Sequence, residues 1–156
     1  MSSIVASYEG LTIEDIIEKD GAYPSITSGC SMRPLFKTHR DMVVLEKCAE
    51  PPKKYDVVLY RVGDKYVLHR IIGVDTERCV FIIRGDNTFR KEYVPFSKII
   101  ARLTAFTRKG KHTSVDSSFY KLYSRVWNFI YPARSLFNIF KRALAKIYRT
   151  LFKRKK

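Results

Sequence analysis

From Ala22 to about Thr107, apolar residues alternate with polar ones or run briefly in short blocks, and turn-forming residues separate the runs. A period of two sends every second side chain to the same face of a strand. Strands are therefore predicted at Tyr23 to Thr27, Met42 to Glu46, Asp56 to Val62, Lys65 to Val74, Cys79 to Arg84 and Lys98 to Thr107. Val62-Gly-Asp-Lys65 reads as a tight hairpin turn, Asp75-Thr-Glu-Arg78 as a weaker one, and Pro51-Pro-Lys-Lys54 as a loop. Short strands joined by tight turns imply an antiparallel sheet or partial barrel, and nothing follows the strand–helix alternation of a nucleotide-binding sheet.

The flanks change period. Leu11 to Lys19 reads as a short helix with Thr12 as N-cap, Asp15 three residues on, and Ile13, Ile16 and Ile17 on one face; Asp20-Gly21 ends it. After Lys109-Gly110 the apolar period lengthens to about three and a half. Phe119, Leu122, Tyr123, Val126, Trp127 and Ile130 fall on one helical face. Pro132 interrupts, and Leu136, Phe140, Ala143, Leu144, Ile147 and Leu151 resume on a second helix. The expected fold is mainly β, with a short N-terminal helix and a C-terminal pair of basic amphipathic helices. It divides into a β domain over 1–112 and a helical tail over 113–156.

Charge sharpens that division. The 156 residues suit one domain of ordinary size, and the formal net charge is +15. Eleven of the 30 lysines and arginines lie between Ser117 and Lys156, which holds none of the 15 acids. The basic surplus thus belongs to the helices. Helices with one greasy and one cationic face suit a membrane interface, where each basic residue near anionic lipid adds on the order of 1 kcal/mol. Trp127, Phe137, Phe140, Lys141 and Arg142 are the expected membrane contacts. The alternative is that the apolar faces pack on the β domain or on another copy. No specific nucleic-acid partner is expected, because the greasy face is wide and no helix-turn-helix segment precedes the β region.

Met1 to Asp20 carries several acids and no apolar run of leader length, and no segment reaches the roughly 18 to 20 apolar residues needed to span a bilayer. Cys30, Cys48 and Cys79 are odd in number with no C-x-x-C spacing, which favours a reducing compartment over a disulfide framework or zinc site. A cytoplasmic protein, peripheral at the inner membrane face, is expected.

Three phrases carry candidate chemistry: Ser28-Gly-Cys-Ser-Met-Arg-Pro34, Val67-Leu-His-Arg-Ile-Ile72 and Ile83-Arg-Gly-Asp-Asn87. Singly, each fits an ordinary turn or strand position. Together, their order, their apolar flanks and the separations of 38 and 17 residues between Ser31, His69 and Asp86 resemble the signal peptidase I clan, which includes the LexA-type self-cleaving repressors. The resemblance runs roughly from Ile26 to Phe106.

That resemblance implies a signal-peptidase/LexA-like sheet and a serine endopeptidase, needing no metal or organic cofactor, that acts on precursor or membrane-associated peptides. Ser31 would be the nucleophile and its backbone N–H the oxyanion donor, with Gly29, Met32 and Pro34 shaping the turn. His69-Arg70 resembles the histidine branch, found in the endoplasmic-reticulum type and a sporulation type, where most relatives have lysine. An ordinary histidine pKa of about 6.5 suits a general base near neutrality. Such a base needs an orienting carboxylate, and Asp86 is the expected one. Asp41, after Arg40, is expected as a supporting acid. Cys30 is disfavoured as nucleophile because the clan's active serine is the one followed by Met. Asp56 and Asp64 read as strand-start and turn residues, and His39 and His112 as surface residues. Tyr23, Pro24, Ser25, Ile26 and Thr27 would pair with the substrate as an added strand, small side chains entering shallow pockets. Most signal peptidases also carry an N-terminal membrane anchor, and none is expected from the segments of this sequence. The alternative reading keeps the fold without the chemistry, as a peptide-binding or scaffold module at the membrane surface. A self-cleaving regulator is disfavoured, with no cleavage segment or DNA-binding domain recognised upstream.

Overall fold

A computed structural model describes residues 10–152 of the chain. Helix α1 (Ile13–Asp20) is followed by β1 (Ala22–Ile26), β2 (Met42–Glu46), β3 (Val57–Val62), β4 (Lys65–Asp75), β5 (Val80–Arg84), β6 (Glu92–Pro95), β7 (Ile99–Arg108) and β8 (Lys111–Ser114). Helices α2 (Ser118–Phe129) and α3 (Tyr131–Phe152) complete it. The strands form one antiparallel sheet in the order β1-β2-β7-β3-β4-β5-β6, with β8 added to β7. The sheet is not closed: β1 and β6 are its terminal strands. The mainly β antiparallel fold with flanking helices is thus the one its periodicities predict.

Local chemistry accounts for the ends of α1. The Thr12 hydroxyl accepts the Asp15 N–H at 3.2 Å while the Asp15 carboxylate accepts the Thr12 N–H at 2.9 Å, satisfying two otherwise orphaned donors. Strands β6 and β8 have four residues each, too few for their periodicity to register, and β8 crosses the division expected after residue 112.

Alternation along β3 separates two cores. Val57 and Leu59 join Val43, Leu45, Ala101, Leu103 and Phe106 on one face, covered by Ile17 of α1, Met32, Leu35 and Phe36 of the β1–β2 connection, and Tyr120 of α2. Val58 and Tyr60 join Ile71, Phe81, Ile83 and Val94 on the other. A strand covered on both faces reads as an unbroken apolar run, as Val57 to Tyr60 does.

Helix α2 is part of this body, packed through Tyr123 and Trp127 of its expected apolar face and through two residues outside that face. Tyr120 and Ser124 are buried, and Tyr123 and Trp127 are half-buried beside them, whereas Phe119, Leu122 and Val126 stay exposed. A polar anchor sets this rotation: Arg70, fully buried in β4, donates to the Tyr120 hydroxyl at 3.1 Å and the Ser124 hydroxyl at 2.8 Å. A buried guanidinium without acceptors costs more than an exposed Phe or Leu. Pro132 lies in the first turn of α3, where its missing N–H breaks no helical hydrogen bond. No helix among the described residues is long and apolar enough to cross a membrane.

Candidate active site

The Ser31 turn is anchored from below and behind. Gly29 adopts a φ of 80°, a left-handed conformation that a side chain would strain, and the Thr38 hydroxyl donates to its carbonyl. Met32, Leu35 and Phe36 are buried and tie the turn to the core; Pro34, exposed, follows a cis peptide bond. Asp41 closes the connection. It is fully buried, accepts the Lys37 N–H at 2.7 Å, and binds Arg40 through both carboxylate oxygens at 2.6 and 2.8 Å. Its hydrogen bonds to Arg40 hold its carboxyl below the usual range despite burial. Asp41 acts on the loop and does not line the cleft at Ser31.

The Gly85-Asp86-Asn87 element divides three tasks among three residues. Asn87 pins the turn, its N–H donating to the Ser31 carbonyl at 2.7 Å and its side-chain amide to the Cys30 carbonyl at 3.2 Å. Gly85 makes room: a Cβ there would stand 2.7 Å from the Ser31 carbonyl oxygen and 2.9 Å from Nε2 of His69. Asp86 faces elsewhere. Its carboxylate pairs with Arg70, Nε to Oδ1 at 2.8 Å and Nη2 to Oδ2 at 2.9 Å, and accepts the Tyr123 hydroxyl at 3.3 Å. Trp127 Nε1 and Arg134 Nη2 both donate to its backbone carbonyl, at 3.0 and 2.8 Å.

The Gly85 contacts give a direct expectation. Gly85→Ala forces the Ser31 carbonyl or the His69 ring to move, since one obstacle is backbone and cannot swing aside. In urea unfolding Gly85→Ala should be destabilised by roughly 1–3 kcal/mol, the usual cost of forcing extra volume into a packed site. Unchanged stability would show that the two groups need not be so closely seated.

His69 finds its carboxylate in Glu92, not Asp86. Nδ1 lies 3.1 Å from the Tyr60 hydroxyl and 3.3 Å from Glu92 Oε1, and the Tyr60 hydroxyl donates to Glu92 Oε2 at 2.6 Å. Proton accounting then fixes the tautomer. Tyr60 has one proton, committed to Glu92, and burial followed by the Glu92 hydrogen bond raises its pKa so that it stays protonated. Its oxygen therefore accepts from Nδ1–H, leaving the lone pair on Nε2, the ring edge against Gly85. Burial lowers the His69 pKa from its ordinary 6.5, against the opposing pull of Glu92 and Asp86. The neutral imidazole is the form a general base requires.

The Asp86 carboxylate bonds Arg70 and not His69 because β4 sends neighbouring residues to opposite faces. His69 lies opposite Val58 and shares its face with Tyr60, while Arg70 lies opposite Val57 on the face that α2 covers. Asp86 follows Arg70. Glu92 reaches His69 from β6, opposite Ile83. Sequence reasoning missed Glu92, Tyr60 and Arg70; the available signal was the Glu92-x-Val94 alternation, which puts Glu92 on the face of buried Val94.

Ser31 and His69 line one cleft of about 450 Å³ with Tyr23, Ser25, Ile26 and Thr27 of the β1 segment and Tyr66 to Leu68 of β4. Pro24 points away from it and is exposed. Among the described residues, Lys65 to His69 pair with β3 alone and β1 with β2 alone, so both strands keep an unpaired backbone edge bordering the cleft. Met32, Phe36, Leu45 and Leu59 line it as well. Among the described residues the Ser31 hydroxyl and N–H make no hydrogen bond, with His69 or any other group.

Of the expected membrane contacts, Trp127 is instead committed to Asp86 and stacked under Arg134, 3.7 Å from the ring centroid. Phe137, Phe140 and Lys141 are exposed on α3; the Arg142 side chain and residues 153–156 lie outside those described, as do the side chains of Ile147 and Leu151. Cys30, Cys48 and Cys79 are unbridged, and His39 and His112 are exposed. No cluster among the described residues could hold a metal ion. Comparison with known protein families and with curated proteins found no match to this chain.

Proposed function

We propose that this chain is a serine endopeptidase of the signal-peptidase kind, with Ser31 as nucleophile, His69 as general base and then acid, and Glu92 as the carboxylate that orients His69 with Tyr60. The observation that carries the proposal is a buried histidine whose Nδ1–H is held by Tyr60 and Glu92 while its Nε2 edge lies against Gly85, which also packs on the Ser31 carbonyl. An extended peptide pairing with the free edges of β1 and β4 would carry its scissile carbonyl past Ser31. The Ser31 proton passes to Nε2 as Oγ attacks; Nε2 returns it to the leaving amine, and water, deprotonated the same way, hydrolyses the acyl-enzyme. The Ser31 N–H, without another acceptor, is the oxyanion donor. The enzyme would work peripherally at the cytoplasmic face of a bilayer, on precursor or membrane-associated peptides.

One observation favours the rival, a peptide-binding module without chemistry: Ser31 and His69 are not hydrogen-bonded. Catalytic contacts often tighten only with substrate bound. A fluorophosphonate decides between them, because Oγ displaces fluoride, forming an O–P bond, only if a base takes its proton. Peptide mapping should find the adduct on Ser31 and none in His69→Ala; no adduct, or equal labelling without His69, defeats the proposal.

The same reaction reports the base. Its rate should rise with pH through the His69 pKa and level off above 6.5, since burial places that pKa below the ordinary value. Glu92 pulls the pKa upward, so Glu92→Gln moves the inflection to lower pH and lowers the plateau roughly 10- to 100-fold, by removing the partner of the imidazolium. A plateau loss with no shift in the inflection would mean that Glu92 acts only on packing. Stability has a matching sign: the depressed His69 pKa contributes stability above 6.5 that is lost as pH falls through the folded value.

A further inference from the structure

The rotation of α2 leaves a stripe exposed among the described residues. Phe119, Leu122, Val126 and Phe129 recur every three or four residues along one side of the helix, with Phe119 76% and Phe129 83% exposed. The opposite side, Tyr120, Ser124 and Trp127, is occupied by Arg70 and Asp86. The stripe is thus turned outward by the bonds that fix the helix. On α3, Phe137 and Phe140 are exposed in the same way, at 68% and 62%. Arg125 and Lys141 are exposed on the same two helices, and from Ser117 to Lys156 no acid offsets them.

The geometry points to an interfacial lipid-binding platform made by α2 and the exposed part of α3, which seats the Phe119/Leu122/Val126/Phe129 stripe in the acyl boundary of an anionic bilayer. The charge selects this occupant. A second copy would bring an equally cationic pair of helices against the first, and repulsion would oppose closure. A nucleic acid would satisfy the cations and leave four large apolar side chains uncovered. An anionic lipid surface satisfies both faces at once. The platform also lies behind the site, because Trp127 and Arg134 hold the Asp86 carbonyl while its neighbours Gly85 and Asn87 pack and pin the Ser31 turn. Trp127 therefore faces the protein, not the lipid.

Vesicle binding reads this without any cleavage, so it stands or falls apart from the peptidase chemistry. The full chain should co-sediment with vesicles of phosphatidylcholine and phosphatidylglycerol and much less with phosphatidylcholine alone. Leu122→Ser/Phe129→Ser, at exposed positions that leave the fold intact by circular dichroism, should lower partitioning at least about tenfold. Trp127 is the chain's single tryptophan, which gives an orientation test. Acyl chains brominated near the headgroup should leave its fluorescence unquenched and quench the component added by Phe129→Trp. The platform is overturned by absence of vesicle binding, by binding that the apolar variant keeps and salt alone removes, by quenching of Trp127 and not of Phe129→Trp, or by a dimer in sedimentation that buries Phe129→Trp.

Discussion

Purified Ser31→Ala should cleave its peptide substrate at least about 10⁴-fold more slowly than the wild type, His69→Ala should lose about as much, and the double variant little more. Non-additivity of this size marks residues that act as one unit, because a base without its nucleophile, or the reverse, has nothing left to do. The Ser31 substitution is a clean one. Its hydroxyl makes no hydrogen bond among the described residues, so nothing structural is lost with it. His69 is less clean, since it packs beside Tyr60 and binds it; His69→Gln, which fills more of the space, serves as a second probe. Single-turnover cleavage of a peptide library, with small and bulky apolar residues before the scissile bond, gives both the rates and the preference. Full cleavage by Ser31→Ala ends the serine mechanism. If instead the wild type binds peptides and cleaves none, the module reading takes its place.

Arg70→Met should destabilise the fold by roughly 3–5 kcal/mol in urea unfolding, the range for removing one partner of a buried ion pair. Every side-chain nitrogen of Arg70 is bonded: Nε and Nη2 to Asp86, and Nη1 to the Tyr55 carbonyl, Tyr120 and Ser124. Its loss leaves the Asp86 carboxylate buried with the Tyr123 hydroxyl as the remaining donor to it among the described residues. Lysine cannot replace the planar fork, so Arg70→Lys should rescue little. Removing both charges is different, because no unpaired ion remains, and Arg70→Met/Asp86→Leu should cost less than Arg70→Met alone. Equal or greater loss in the double variant would show that the hydrogen bonds to α2, not the ion pair, carry the stability. Asp86 also separates from Glu92 in this way: Asp86→Asn should lower stability and move the pH inflection less than Glu92→Gln does, because Glu92 exerts the larger pull on His69.

Much of this architecture is legible in the sequence because most strands are long enough to show their period. The capping box of α1, the strand at Met42–Glu46 and the turn at Gly63-Asp64 follow from local rules. The Ser31 turn and His69 stand out through their phrases, and the structure brings both to one cleft. Glu92 is hard to find because its four-residue strand gives only the short Glu92-x-Val94 alternation, and its role depends on β5 carrying it beside a histidine 23 positions earlier. Asp86 misled for a related reason. Sequence proximity to a conspicuous turn says nothing about which side of the sheet a carboxylate faces. The rotation of α2 was equally out of reach, because apolar patterning ranks phenylalanine above serine, while the deciding partner is a buried arginine 54 residues earlier.

His69 and Arg70 are adjacent in the chain and serve opposite sides of one sheet, the first the proposed reaction and the second the attachment of a helix. Substitution can therefore tune either duty alone, but a change of chain length cannot. One residue inserted or deleted between Lys65 and His69 would exchange their faces, burying a guanidinium against Tyr60 and aiming an imidazole at Ser124. Length between the hairpin turn and this dipeptide is accordingly the dimension along which the protein has least freedom to vary, whatever the side chains there become.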